Sequence, residues 1–272
     1  MSARLMWSSS DRAQVYARDA RLDDHAPLTY LGRGEADALR QDARDGHLVC
    51  PFPECDQREL IVRAGSRRDH FAHRRVPTCA HSPESLMHLQ GKAMIADWLR
   101  GLFGGRLDVA VEVPIGGGIR VADVLARSPR DRRMAFEIQY AALEPDEWQQ
   151  RHDDYTANDV VDVWLWGHMG PHCRGLSCEH LDSERGISPA MLRCSGVTGR
   201  PLLWLNPEER ELAVAVTTLD LDAGEDLARL NVGASTDTSW AFTDRRAAIA
   251  LCSSVEEWSL DAAGPKVPTP RL

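Results

Sequence analysis

Acidic and amide side chains interrupt two apolar segments of the sequence in a pattern that could bind a metal ion. The segment AFEIQY, residues 135–140, carries Glu137 and Gln139 two positions apart, and the preceding apolar segment RVADVL carries Asp123 as its one acid. Side chains alternate across a strand, so Glu137 and Gln139 face the same side. If the two strands are neighbours, Asp123 and Glu137 converge at one sheet edge. Their mutual repulsion then favours a hard cation such as Mg²⁺ or Mn²⁺.

The chemistry that this group supports best is hydrolysis of a phosphodiester bond by metal-activated water. A cation between Asp123 and Glu137 lowers the pKa of the attacking water and neutralises charge that develops on the phosphate. Gln139 is expected either to orient that water or to hold the phosphate by hydrogen bonds. The alternative is a structural acid pair neutralised by nearby arginines, and a one-residue slip of the strand register would separate the two acids.

A second group of residues has the composition of a zinc site. Cys50 and Cys55 are separated by four residues, and after fourteen more residues His70 and His73 are separated by two. Two thiolates and two imidazoles can close a tetrahedral, structural Zn²⁺ site. Alternative ligands follow at Cys79 and His81. Buried cysteines without a metal are the other interpretation.

The zinc site would fold a small unit that offers arginines to nucleic acid. Residues 58–75 contain six arginines and two acids. Arg63, Arg67 and Arg68 are the expected contacts with phosphate groups. The alternative is an ordinary solvated surface.

A looser cysteine group follows in the C-terminal part. Its members are Cys173, Cys178, His172, His180 and Cys194. Their spacing matches no metal site, so burial or chance is the preferred interpretation. Cys252 is predicted to lie in the core.

The elements that must position the acids form an α/β unit over residues 83–167. Ser82 is a predicted N-cap, with Pro83 in the first turn of a helix. Two strands follow, joined by the glycines at 116–118, which suit a turn with positive φ. A third strand contains Glu137, Pro145 opens a second helix, and VVDVWLWG is a buried strand. The predicted order is helix, three-stranded meander, helix and strand.

Around this unit the sequence divides into further segments. Residues 1–45 form an N-terminal extension and residues 46–82 a zinc-finger-like unit. Residues 168–260 form a C-terminal extension, α/β or all-β, and residues 261–272 a Pro-rich tail that is expected to be disordered.

Composition limits the classes of function. The net charge of −9 argues against coating nucleic acid by bulk electrostatics, although a local basic face remains compatible with binding. No segment has the roughly 20 apolar residues of a membrane span, and the first residues lack a signal peptide's apolar core. We therefore expect a cytoplasmic protein without membrane contact, in which seven cysteines do not form a disulfide framework.

Several ordered motifs together resemble the competence protein CoiA-like family, whose nuclease domain is related to the PD-(D/E)XK superfamily of restriction-type endonucleases. The matching segments are CPFPEC, HFAH, ESLMHLQGK, RVADVL, FEIQ, RHDDY and VWLW. The resemblance implies a restriction-endonuclease-like core over residues 83–167. The sequence departs from the family at two places. Four residues separate Cys50 and Cys55, where a gap of two is common, and Ala141 stands where a small hydroxyl residue is frequent.

The same resemblance assigns roles to individual residues. Asp123 and Glu137 match the two metal-binding acids, and Gln139 matches the position usually written as lysine. On the first helix, Glu84, His88 and Lys92 share one face. The resemblance implies that Glu84 approaches the metal, while His88 and Lys92 approach phosphate oxygens. A solvated stripe is the alternative for these three, although Lys92 is one of only two lysines in the chain.

Two residues of the second helix are the last candidates. Arg151 and Tyr155 are one turn apart and are expected to contact the DNA backbone. Core packing is the alternative for Tyr155.

The expected function is therefore metal-dependent cleavage of single- or double-stranded DNA, endo- or exonucleolytic, in DNA processing, recombination or uptake, with recombination proteins as candidate partners. Two other classes stay open. One is a DNA-binding accessory protein with a degenerate nuclease fold that does not cleave. The other is a zinc-stabilised protein-interaction module.

Overall fold

A computed structural model describes residues 4–5, 12–75, 82–173, 187–217, 248–262 and 264–266 of the chain. The helices are α1 Ala36–Arg44, α2 Pro83–Gly101, α3 Pro145–Ala157 and α4 Pro189–Thr198. The strands are β1 Arg4–Leu5, β2 Tyr16–Asp19, β3 Thr29–Tyr30, β4 Leu48–Val49, β5 Leu60–Arg63, β6 His70–His73, β7 Asp108–Ile115, β8 Arg120–Arg127, β9 Arg133–Gln139, β10 Val160–Gly167, β11 Leu203–Asn206, β12 Glu211–Thr217, β13 Ala248–Ser254, β14 Ser259–Asp261 and β15 Gly264–Lys266. The predicted α/β class is confirmed.

The central feature is a mixed sheet of eight strands in the order β1-β13-β12-β11-β10-β9-β8-β7. The strands β7, β8 and β9 form an antiparallel meander, and β10 runs parallel to both β9 and β11. The predicted order of helix, meander, helix and strand is therefore present. The C-terminal strands β11 to β13 extend this sheet instead of forming a sheet of their own.

Helices cover both faces of the sheet. Helix α2 packs on one face, with Met94 and Leu99 in a cluster with Phe136 and Ile138. Burying each such side chain contributes about 1.5–3 kcal/mol relative to leaving it exposed. Helices α3 and α4 cover the other face around four tryptophans, Trp148, Trp164, Trp166 and Trp204. Alternation along β9 therefore sends Phe136 and Ile138 toward α2, and Glu137 toward α3.

Residues 12–75, here called the N-terminal unit, contain a three-stranded sheet and the hairpin of β5 and β6. Leu31, Leu48, Leu60 and Phe71 form its buried core together with the two cysteines of the predicted zinc site. The buried Gln90 side chain of α2 accepts hydrogen bonds from the backbone N–H groups of Val15 and Tyr16 at 2.6 and 3.1 Å. The unit is therefore fixed to the helix that also borders the acidic strands.

The C-terminal residues differ in part from the sequence prediction. Residues 264–266, expected to be disordered, pair with β14 as a short antiparallel ladder. Lys266 adds an ion pair with Asp261 at 2.5 Å. Within the segments described above, no helix is long and apolar enough to cross a membrane.

Candidate active site

A cleft opens where β8 and β9 separate. Their ladder runs from Arg127 paired with Arg133 up to Val124 paired with Phe136. Beyond that pair, the N–H group of Ile138 donates to Asp123 Oδ2 at 2.8 Å instead of to a backbone carbonyl. The acidic cleft formed there has a volume of about 520 Å³. Its lining includes Ser85, His88, Arg120, Asp123, Glu137, Gln139, Tyr140, Ala141, Arg151 and Tyr155.

The two predicted acids lie together in the acidic cleft, each held by separate groups. His88 Nε2 lies 3.0 Å from Asp123 Oδ1, while the Ile138 amide holds the other carboxylate oxygen. Tyr155 donates its hydroxyl hydrogen to Glu137 Oε1 at 2.5 Å. Arg151 lies 3.7 Å from Glu137 Oε2. The two carboxylates are thus oriented before any ligand arrives.

Burial and charge make Glu137 an unusual acid. Its removal from water, and the neighbouring charge of Asp123, raise its pKa to about 7, against the lowering effects of Tyr155 and Arg151. Burial and the Glu137 carboxylate raise the pKa of Tyr155, so the phenol stays protonated and acts as a donor. Glu137 therefore carries a large unfavourable energy when ionised, and a cation between the acids would relieve it.

The amide of Gln139 is held in one orientation. Its Nε2 atom donates to the Ala141 carbonyl oxygen at 2.7 Å. A carbonyl has no hydrogen, so the amide nitrogen must face it, and the amide oxygen is left as the acceptor for the acidic cleft. The Nε2 atom of His172 lies 2.6 Å from the same carbonyl and must therefore donate to it. Its other ring nitrogen lies 3.2 Å from the hydroxyl of Ser188, the N-cap of α4.

Helix α2 approaches the sheet closely enough to bring His88 over Asp123. A Cβ atom at Gly91 would lie 2.8 Å from Leu205 and 3.1 Å from Ile138, so no larger residue fits there without movement. Lys92 lies one helical turn after His88, but its side chain turns away from the acidic cleft and bonds Glu112 of β7 at 2.7 Å. Glu84 lies in the first turn of α2, but its side chain is outside the described part of the structure.

The two candidates on α3 differ in accessibility. Arg151 lines the acidic cleft and also bonds Glu147 at 3.0 Å, so its guanidinium sits at the rim. Tyr155 is buried, and its hydroxyl is occupied by Glu137. The packing alternative therefore describes Tyr155, and its predicted contact with the DNA backbone does not fit this geometry.

Sequence reasoning missed several residues of the acidic cleft. Arg120 lines it and bonds Asp154 of α3 at 2.7 Å. Tyr140 lies 3.0 Å from His168, whose other ring nitrogen is 3.0 Å from Glu208. These contacts join elements distant in the chain, so local spacing carried no signal for them. The glycine at position 167 was a weak signal of close packing, since a Cβ atom there would lie 2.3 Å from the Tyr140 ring.

The cysteine and histidine group is partly assembled. Cys50, Cys55 and His73 place their ligand atoms within 4.8 Å of one another. The Cys55 sulfur and His73 Nε2 are 3.3 Å apart. Two thiols and one imidazole are ligands that zinc prefers. Among the residues that the structure describes, this is the one group in which three or more His, Cys, Asp or Glu ligand atoms lie this close together.

His70 does not join this group, contrary to the prediction. Residues 70–73 form strand β6, and a strand alternates its side chains with a period of two, so a spacing of three sends His70 and His73 to opposite faces. The ring of His70 instead lies 3.2 Å from the Arg68 carbonyl. Two further candidate ligands, Cys79 and His81, lie outside the described residues.

The predicted arginine contacts also separate. Arg63 and Arg67 are exposed, on β5 and in the following loop. Arg68 is only 4% exposed, bonds the Tyr30 hydroxyl at 2.7 Å and pairs with Glu209 at 3.1 Å. Arg68 thus joins the N-terminal unit to the loop after β11, and its predicted contact with nucleic acid does not fit this burial.

The C-terminal cysteine group contains no assembled metal site in the described structure. Cys194 is buried in the tryptophan cluster, and burial raises the pKa of its thiol. His172 is hydrogen-bonded through its Nε2 atom to the carbonyl oxygen of Ala141. Cys178 and His180, and the side chains of Cys173 and Cys252, fall outside the described part.

Comparisons with known proteins identify the family of the chain. Residues 84–241 match the family model for the nuclease-like domain of competence protein CoiA. Over 113 residues, 40% of the chain, the sequence is 32% identical to competence protein CoiA of Bacillus subtilis (strain 168). That match spans 29% of the length of the Bacillus protein. No solved structure matches the chain.

Proposed function

The chain belongs to the competence protein CoiA nuclease-like domain family, and from this premise we propose that its acidic cleft hydrolyses phosphodiester bonds in DNA with a divalent cation. The observation that carries the proposal is the pair of oriented carboxylates, Asp123 and Glu137, of which Glu137 is destabilised by burial and by its neighbour. Such a pair is costly unless a proton or a cation neutralises it.

The donor set fits Mg²⁺ or Mn²⁺. Asp123 and Glu137 supply carboxylate oxygens and Gln139 supplies an amide oxygen, all of them ligands that hard cations prefer. When bound, such an ion lowers the pKa of the attacking water and stabilises charge on the phosphoryl group. The chain's own residues set up this site. His88 and the Ile138 amide hold Asp123, while Tyr155 holds Glu137.

The fixed amide favours one of the two roles considered for Gln139. One N–H of its nitrogen donates to Ala141, so its oxygen is available to accept from water or to bind the cation, whereas only the second N–H is left to hold a phosphate. We assign the contacts with phosphate oxygens to Arg151 and Arg120 instead, because both line the acidic cleft. Lys92 has no part in this proposal because it pairs with Glu112.

The N-terminal unit is proposed to be zinc-finger-like, with structural Zn²⁺ held by Cys50, Cys55 and His73. Closing a tetrahedral site takes a fourth ligand, for which the sequence offers Cys79 and His81. A site closed in this way does no hydrolysis, and its role is to stabilise a unit with a small core. We place the protein in the cytoplasm, where thiols stay reduced and DNA is processed during recombination or uptake.

The test is incubation of the purified chain with labelled single- and double-stranded DNA in Mg²⁺, Mn²⁺ or EDTA. Asp123→Ala and Glu137→Ala should each lower the cleavage rate by on the order of 10³-fold, because each removes a charge that stabilises the transition state. Asp146→Ala is the matched control, since this acid of α3 is 98% exposed and should leave the rate unchanged.

Two outcomes would contradict the proposal. If the wild type binds DNA but does not cut it, and the acid variants bind as well or better, the chain is an accessory protein with a degenerate nuclease site. If neither DNA binding nor any effect of Mg²⁺ is seen, the interaction-module alternative takes its place. Circular dichroism of each variant establishes that the fold is retained.

A further inference from the structure

The charged residues that line one groove on the N-terminal unit are all arginines. It lies between α1 and β5 and has a volume of about 460 Å³. Arg40 and Arg44 of α1 line it together with Arg63 of β5, above a floor of small and aliphatic side chains. We call this the arginine groove. None of its lining residues is acidic, in contrast to the acidic cleft, which combines both signs.

The arginine groove is poorly neutralised by the described part of the chain. Arg40 pairs at 3.2 Å with Asp37, but that carboxylate is 93% exposed, so the pair is worth little. Arg44 and Arg63 form no ion pair with any described residue. Asp42, the acid between the two arginines of α1, lies on another side of the helix and bonds Arg21 at 3.1 Å.

Two features of the arginine groove have an energetic cost in the free protein. Arg40 and Arg44 are like charges one helical turn apart, a spacing at which their repulsion destabilises a helix. The Nε atom of Arg40 is buried and lacks a hydrogen-bond acceptor, although the rest of that side chain reaches the surface. An unsatisfied buried donor is destabilising. An anion in the groove would offset the repulsion between the two guanidinium groups and offers an acceptor beside Arg40.

From these features we propose that the arginine groove binds phosphate groups of a nucleic acid strand, as a site separate from the acidic cleft. The choice of a nucleic acid as the polyanion rests on the proposed function, whereas the anion site itself does not. The distribution of charge supports it, because residues 12–75 hold twelve arginines against eleven acids in a chain of net charge −9. Guanidinium groups bind phosphate through paired N–H donors.

The test is DNA binding measured without divalent cation, so that no cleavage occurs, over a range of salt concentrations. The variant is Arg44→Ala with Arg63→Ala, and the matched control is Arg130→Ala with Arg132→Ala, two exposed arginines in the turn between β8 and β9. Log affinity falls linearly with log salt concentration, and each lost phosphate contact should reduce the magnitude of this negative slope by about 0.7 for single strands and 0.9 for duplex. We therefore expect a decrease of about 1.4–1.8 for the groove variant and none for the control.

Three results would overturn this proposal. The first is an unchanged slope in the groove variant, and the second is an equal decrease in both variants, which would mean that only net charge matters. The third is competition by polyglutamate as strong as that by unlabelled DNA, which would indicate an acidic protein partner.

The nuclease proposal fails separately. Absence of metal-dependent cleavage with groove-dependent binding retained would refute cleavage and leave the arginine groove in place. Cleavage with an unchanged salt slope would do the reverse.

Discussion

The acidic cleft and the N-terminal unit bring their functional side chains together in different ways. In the cleft, Asp123 and Glu137 come from adjacent strands of one sheet, held from both sides by helices. In the N-terminal unit, Cys50, Cys55 and His73 come from a loop and a short hairpin over a core of few residues. A metal in the cleft would serve chemistry on an existing scaffold, whereas a metal in the N-terminal unit would be part of the scaffold.

This comparison explains which predictions succeeded. Alternation along β9 was readable from AFEIQY, and the observed register, with Val124 opposite Phe136, then brings the two acids together. The same alternation separates His70 from His73, because their segment is a strand. The spacing of a motif therefore predicts convergence only when the period of its secondary structure is known.

The largest expected effect tests this rule in the N-terminal unit. Cys55→Ser should abolish bound zinc, because it removes one of the three assembled ligands. His70→Ala should retain zinc at the wild-type stoichiometry, because His70 lies on the opposite face of β6. Elemental analysis of purified protein after dialysis against a weak chelator measures both.

The zinc comparison also has a structural readout. Limited proteolysis of Cys55→Ser should cut within residues 12–75 and leave the larger sheet intact. Loss of zinc in His70→Ala as well would show that His70 is a ligand and that the strand assignment of residues 70–73 does not hold in the metal-bound protein.

A smaller effect is expected from the residues that orient the acidic cleft. His172→Phe keeps a ring against Trp166 but removes the donor to the Ala141 carbonyl, which loosens the amide of Gln139. We expect kcat to fall by about tenfold and the Mg²⁺ concentration for half-maximal rate to rise. The loss is smaller than the roughly 10²-fold cost of a 1 Å misplacement, because Gln139 keeps its own hydrogen bond to Ala141. DNA affinity in EDTA should not change.

Steady-state cleavage assays over a series of Mg²⁺ concentrations measure this effect. A variant whose kcat falls with no change in its dependence on Mg²⁺ would indicate that His172 contributes packing alone. A purely structural role would also lower the melting temperature without altering the metal requirement.

The limits of the sequence prediction follow from the same physics. The segments over residues 83–167 were readable because periodicity, the N-cap Ser82 and the glycine turn all act locally. The contacts of His172 and Tyr140 were not readable, since their partners lie 16 to 31 residues away and depend on how α4 and β11 dock. Burial of Arg68 had the same origin, because nothing local in the sequence indicates its ion pair with Glu209. Core packing was one of the two interpretations of Tyr155, but its hydrogen bond to Glu137 depends on how α3 docks on the sheet.

The smallest expected effect concerns His152, a partly buried histidine on α3. Its partner is the carboxylate of Asp162, whereas the partner of His73 in the N-terminal unit is the thiol of Cys55. His152 Nδ1 lies 2.9 Å from Asp162, and that hydrogen bond raises the pKa of His152, with Asp153 adding to the effect and partial burial and Arg200 opposing it. A folded-state pKa above the unfolded value means that the stabilisation is fully present below about pH 6.5. It is lost as pH rises through the folded pKa.

The variant His152→Gln cannot titrate. Chemical denaturation should therefore show it less stable than the wild type by about 1 kcal/mol at pH 5.5, and this difference in stability should shrink toward pH 8.5. A gap that stays constant or widens as pH rises would mean that the pair is not charged in the native protein, and that Asp162 is held by Trp164 and packing alone.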